Sequence, residues 1–174
     1  MKKFLLPLLV LCSIGLVSCG SKDVGKSGAA EIAKKIDASA LNEKYSGGVM
    51  TSEKGCTEVT GIFLASITKG TEKDTTSISD LAPYTLTPTS LDSFTSLSGA
   101  EYTYTAKGTA LTISLSYSTK EAIGGLEVTG TGVQVVEFNS DGLLVNNKTD
   151  ISLNLKDSGS LKQIVYYSYV WTEK

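Results

Sequence analysis

A two-residue period runs through most of the second half of this chain, and it limits the fold to pleated structure. Thr109–Tyr117 sets Leu111, Ile113, Leu115 and Tyr117 on one side with small polar residues between them, and Glu101–Ala106 alternates through Tyr102 and Tyr104. Successive side chains of a strand point to opposite faces, so this spacing describes a sheet wet on one side and apolar on the other. Lys107-Gly108 turns between these two segments and makes them a hairpin. Leu126–Thr129 and Val133–Phe138 continue the pattern, joined through Gly130-Thr131-Gly132 either as one bulged strand or as two short ones. Asn139-Ser140-Asp141-Gly142 turns into Leu143–Asn146, Ile151–Leu155 alternates again, and Asp157-Ser158-Gly159-Ser160 turns into the final segment Leu161–Thr172.

The first half is less regular. From Val49 onward the residues are rich in Thr, Ser, Val, Ile and Tyr, several of which suit a half-buried pleated surface. Val59–Thr68 reads as a long apolar strand, Lys69–Thr75 as a charged hairpin tip, and Ser77–Thr87, with Pro83 and then Pro88, as an edge strand or extended loop. A helical turn is expected in Thr89–Leu97 through Leu91, Phe94 and Leu97. Strands at intervals of about 8–12 residues give a mainly β fold, an antiparallel meander of about seven to nine strands. It is expected to close into a small β-barrel or to stack as a sandwich, the barrel being favoured because closure removes exposed edges. One N-terminal helix is expected over 29–41, where Ala29, Ile32, Ala33, Ile36 and Ala40 share a stripe and Ser27 stands as N-cap.

The start of the chain has a different logic. Lys2 and Lys3 precede an apolar run, Phe4–Val17, of about 14 residues, short of the roughly 20 that a spanning helix needs. The run closes on Leu16-Val17-Ser18-Cys19, with a small residue directly before the cysteine. This resembles the lipobox of bacterial lipoproteins. The resemblance implies a signal peptide over 1–18, a lipidated Cys19 at the new N-terminus and attachment to a membrane through that lipid. Gly20 and Ser21 follow the cysteine where an Asp often marks inner-membrane retention, so the resemblance implies the outer membrane. Residues 19–28 (CGSKDVGKSG) then read as a flexible tether, and 29–174 as a single β-rich domain. Two acyl chains, with a third commonly added at the amino group, make such attachment stable.

What the chain lacks narrows its chemistry. It contains no His, and all 16 basic residues are Lys. The usual general base near neutral pH and the commonest metal ligand are therefore missing, as is the guanidinium fork that grips phosphate and carboxylate. Removing Lys2 and Lys3 leaves 14 Lys against 18 acids and moves the net charge from −2 to −4. Nucleic acid is not an expected partner, and no cofactor is implied. Once Cys12 leaves with the signal peptide and Cys19 carries lipid, Cys56 is a lone thiol. It reads as a small, partly buried residue. Glu137–Gly142 resembles a calcium loop until its twelfth position, which is Lys148 rather than a bidentate acid, so a hairpin turn is the better reading. No nucleophile elbow is present, and no catalytic residue is assigned.

The last segment sets Val165, Tyr167, Tyr169 and Trp171 on one face. Tyr167, Tyr169 and Trp171 are the candidate ligand-binding residues, because aromatic rings offer apolar faces and polar tips; the same row can instead pack as core or meet a protein. Ile113, Leu115, Tyr167 and Trp171 are expected to line a cavity if one exists. The meander resembles small lipocalin-like lipoprotein domains in strand pattern, though the Gly-x-Trp of lipocalin first strands has no counterpart, the single Trp being Trp171. Many outward positions are Ser, Thr, Lys or Glu, which argues against a membrane-spanning barrel. The expected function is that of a non-catalytic surface or outer-membrane interaction protein, with a carrier of a small apolar ligand as the alternative.

Overall fold

The computed structural model describes residues 20–61, 64–123 and 126–174. Its strands, in chain order, are β1 (Lys22–Asp23), β2 (Tyr45–Thr60), β3 (Gly70–Ile78), β4 (Glu101–Lys107), β5 (Ala110–Ile123), β6 (Leu126–Phe138), β7 (Leu144–Leu155) and β8 (Gly159–Glu173). The helices are α1 (Gly25–Lys34), α2 (Ala38–Lys44) and α3 (Pro88–Phe94). All eight strands belong to one antiparallel sheet, ordered β1-β4-β5-β6-β7-β8-β2-β3. The mainly β, antiparallel class is therefore as the alternation predicts. Among the described residues the end strands β1 and β3 do not pair with each other, so no ladder closes the sheet into a barrel. Helices and the 79–87 connection cover part of one face instead.

The hairpins follow from their turns. Lys107 pairs with Ala110, leaving Gly108 and Thr109 as a two-residue loop, and Gly108 takes φ +64°, which glycine adopts without steric cost. Gly130 and Gly132 do not interrupt β6: its register with β5 and β7 is unbroken through both, and the one irregularity falls at Glu137/Phe138. The segments at 143–146 and 151–155 likewise merge into the single strand β7.

Five expectations are corrected. The helix over 29–41 is two helices, because α1 ends at Lys34 and Asp37 accepts backbone N–H bonds from Ser39 (2.9 Å) and Ala40 (3.2 Å) to start α2 anew. Ser27 lies inside α1, whose N-cap is Val24. The tether is also shorter than read: Lys22 and Asp23 pair with Ala106 and Thr105, and the Val24 N–H donates to the Tyr104 carbonyl. Finally, the strand read at 59–68 ends at Thr60, with 62 and 63 outside the described residues, and all of the expected tip at 69–75 except Lys69 is part of β3. Gly61 (φ +98°) makes the bend, where a Cβ would collide with the Ser158 carbonyl.

The core lies between the helices and one end of the sheet. Ala29 and Ala33 of α1, Leu91 of α3 and Leu86 pack on Tyr104, Leu111, Ile113, Val136, Phe138 and Leu144. Small alanines let α1 approach the sheet closely. Thr87 and Ser90 form a reciprocal capping box for α3, with Pro88 in its first turn. A second cluster joins Leu41, Tyr45, Leu81 and Leu143 beneath α2. Among the described residues no helix is long and apolar enough to cross a membrane.

Candidate docking groove

The strands are longer than their helical cover. Reading across the helix-bearing face, Tyr104, Ile113 and Val136 lie in the covered row. One step further along the strands comes Tyr102–Leu115–Gln134–Thr149, then Tyr117–Gly132–Ile151, then Thr119–Gly130–Leu153. The last two rows have glycine at their centre. With no side chain on β6 there, the flanking residues of β5 and β7 stand as walls around a trough.

This trough is an open groove of about 270 Å³ walled by Leu115, Tyr117, Ile151 and Leu153, with Leu97 from the α3–β4 connection at its rim. The two glycines differ in role. A Cβ on Gly130 would stand 3.1 Å from both the Leu153 Cδ2 and Thr119 Cγ2 atoms, which lean over it. A Cβ on Gly132 would meet nothing nearer than the Asp150 carbonyl oxygen at 3.9 Å, so the space above it is free. Leu97 is 48% exposed, and its backbone is fixed by Tyr102, whose hydroxyl accepts from the Leu97 N–H (2.8 Å) and donates to its carbonyl (3.3 Å). Among the described residues no charged one lines the groove.

Beside the groove the sheet has an open edge. β4 starts at Glu101, opposite Ser116, whereas β5 continues to Ile123. Past Ser116, the side of β5 facing away from β6 has no ladder partner among the described residues.

The aromatic row at the end of the chain is placed elsewhere. Tyr169 is buried and stacks on Trp171 at 6.2 Å with the ring planes 6° apart. Tyr84 tilts against both, at 5.3 and 5.6 Å. The Trp171 Nε1–H donates to the Leu144 carbonyl at 2.8 Å. Burial pushes the Tyr169 phenol up to about 12. Tyr167 is half-buried against the core, with the Lys54 ammonium 4.9 Å from its ring centre. Of the four residues expected to line a cavity, Leu115 lines the groove, Ile113 is fully buried, and Tyr167 and Trp171 pack against the core. A bulge or a junction at Gly130-Thr131-Gly132 predicts no groove there; two glycines at i and i+2 within an alternating run are the signal that marks it.

The turn at 139–142 is held internally. The Asn139 side-chain oxygen accepts from the Asp141 and Leu143 N–H groups, and the Asp141 carboxylate accepts from Lys44 (2.7 Å) and the Tyr45 hydroxyl (2.5 Å). These two donors hold the Asp141 carboxyl below its usual range. Lys44 thus engages the Asp141 carboxylate that a calcium loop would offer to the ion. Among the described residues no group of three or more His, Cys, Asp or Glu converges as a metal site. Cys19 lies outside the described residues. No family model, no curated protein and no solved structure matches this chain.

Proposed function

We propose that the chain is a lipid-anchored protein of the bacterial cell envelope, an outer-membrane lipoprotein that acts by binding a protein partner and not by catalysis. The Leu16–Cys19 sequence supports the anchor. The groove supports the binding role, and it is the observation that carries the reading: an apolar recess left open on the part of the face that the helices do not cover. The two are joined by geometry. Only Gly20 and Ser21 separate Cys19 from β1, which is pinned beside Ala106 at the helical end of the sheet. A lipid at Cys19 would hold that end against the membrane. The groove, about six residues further along β5, would then stand about 20 Å away along the strands, at about 3.3 Å per residue.

A carrier of small apolar molecules would draw on the same groove. Pockets that enclose such ligands measure about 300–1,000 Å³ and bury most of the ligand. At about 270 Å³, with one side open, this groove suits an inserted side chain better than a whole molecule. The anchor is tested by Cys19→Ala, which should abolish both detergent-phase partitioning and acyl-chain labelling in cells. Retention of both overturns it. The binding role is tested by crosslinking from a photoreactive residue at Leu97 in cells: discrete protein adducts are expected, and labelling of lipid alone would favour the carrier.

A further inference from the structure

We propose that Tyr117–Ala122 is a strand-addition site, where an extended segment of a partner protein pairs with β5 and sets alternate side chains into the groove. This rests on the binding role above and names the class of partner.

Two independent features meet at this place. The first is the unpaired edge of β5 beyond Ser116. Its outward N–H and C=O groups form a template for an extended backbone. An added strand would lie in line with β4, about 4.8 Å from β5. The second is the groove on the same face, beginning at Leu115 and Tyr117 directly inside that edge. Alternate residues of an added strand project onto one face at about 6.6 Å intervals, which matches successive sheet rows. Main-chain bonds then supply affinity and the groove supplies selectivity, a recurrent mode of peptide recognition.

Charge selects the occupant. The groove lining carries no charge, so side chains entering it must be uncharged. Glu121 lies beyond Thr119 on the same edge; its carboxylate accepts from the Thr119 hydroxyl at 3.2 Å and makes no ion pair among the described residues. A lysine or arginine of the partner fits there, after the apolar positions. A second copy of this chain fits poorly. Symmetric antiparallel pairing centred on Lys120 or Glu121 sets like charges directly opposite, which is destabilising, and pairing centred on Thr119 spans only Tyr117–Glu121 and sets Lys120 against Ser118 and Glu121 against Tyr117, with no opposite charge for either. The partner is therefore a different protein that offers an uncharged alternating segment ending in a basic residue.

The probes are three synthetic decapeptides alternating Val/Thr, Leu/Ser or Tyr/Thr, each closed by lysine at both ends. They are added to the full chain in phospholipid vesicles and, separately, to the full-length Cys19→Ala chain in solution. At least one peptide is expected to slow amide exchange across Tyr117–Ala122 by about tenfold or more, in both settings. Its affinity should fall about tenfold, equivalent to about 1.4 kcal/mol, when Gly132→Leu fills the trough or when alternate peptide nitrogens are methylated. Leu97→Ser, at an exposed rim position, should weaken it several-fold and serves if Gly132→Leu does not fold. Protection from none of the three peptides overturns the proposal. So does equal binding by the methylated peptide, which would mean an apolar site without strand pairing. A concentration-dependent dimer that protects the same amides without peptide would assign the edge to a second copy and overturn it too. Failure of the anchor alone appears differently, as full chain that does not float with vesicles while peptide protection persists.

Discussion

Gly48 sits directly opposite Trp171 on the β2–β8 ladder, and replacing it with alanine sets two effects of opposite sign against each other. In general, alanine in a strand interior is favoured over glycine by about 0.5–1 kcal/mol, because glycine loses more backbone entropy on folding. Here the added Cβ would stand 2.6 Å from the Trp171 Cε3 atom and 2.7 Å from the Val170 carbonyl oxygen. The indole has little room to retreat: Tyr84 and Tyr169 pack against it, and its N–H is committed to the Leu144 carbonyl. Overpacking of this kind costs about 1–3 kcal/mol, so the steric effect wins and Gly48→Ala destabilises by about 1–2 kcal/mol net. For a domain of this size that lowers Tm by about 2–8 °C. Thermal and urea unfolding measure the cost. Trp171 is the sole tryptophan, so its emission reports the ring's displacement directly. In a Trp171→Leu background the alanine should cost less by about 1 kcal/mol, the carbonyl contact alone persisting. A stabilised Gly48→Ala protein with native emission would show that the ring is not confined as argued.

Four further outcomes are expected. Asp37→Ala removes the cap that starts α2 and should cost about 1 kcal/mol, seen as faster amide exchange in Ala38–Lys44 with α1 unaffected. Tyr45→Phe removes the hydroxyl bond to Asp141 and should cost about 1 kcal/mol in urea unfolding. Because Lys44 and Tyr45 lower the Asp141 pKa, its contribution is complete above the unfolded value near 4 and is lost as pH falls through the lower folded value. Acid should therefore loosen the 139–142 turn, and Asp141→Asn should remove that pH dependence from its exchange rates. At the alkaline end the sign reverses: Tyr169, raised to about 12 by burial, contributes stability fully below about pH 10 and loses it between about 10 and 12. Tyr169→Phe should flatten that part of the unfolding profile, while Tyr166, raised to about 12 by its bond to Asp150, retains its own share.

The legible parts of this sequence are those where burial acts on alternate residues. β5 carries Leu111 and Ile113 under the helices and Leu115 buried beside them at the groove, so burial writes a period of two into it. β3 received no such imprint. Its sequence GTEKDTTSI is exposed at every position but the last, and a strand wet on both faces looks like a charged loop. The N-terminal helices hide their boundary for a related reason. The small apolar stripe runs through Ile36 without a break, and only the Asp37 side chain, acting as a cap, marks the start of a second helix. The aromatic row of β8 was visible, but its destination was not, since the same rings suit a core or a ligand site until Tyr84 is seen to cover them. The groove was hardest to foresee, because it is made by the absence of side chains at Gly130 and Gly132.

An open sheet of this size must deal with its edges. β3 does so with charge: Glu72, Lys73 and Asp74 are exposed along it, and Lys73 pairs back to Glu53 at 3.3 Å. The opposite side is protected only in part. β1 covers two residues of β4 and stops, and β4 stops opposite Ser116. On the upper half of β5 the safeguards are Lys120 and Glu121, the former tied to Glu127 on the next strand at 3.3 Å. Those charges oppose symmetric self-pairing but leave the apolar walls at Tyr117 and Leu153 uncovered. An edge that needed only protection would gain more from a charge at Tyr117 or a bulky residue at Gly132, where there is room for one. Retaining a glycine floor beside an unpaired edge costs strand stability and brings no packing in return. That combination is accounted for by an occupant whose backbone completes the ladder and whose side chains fill the trough.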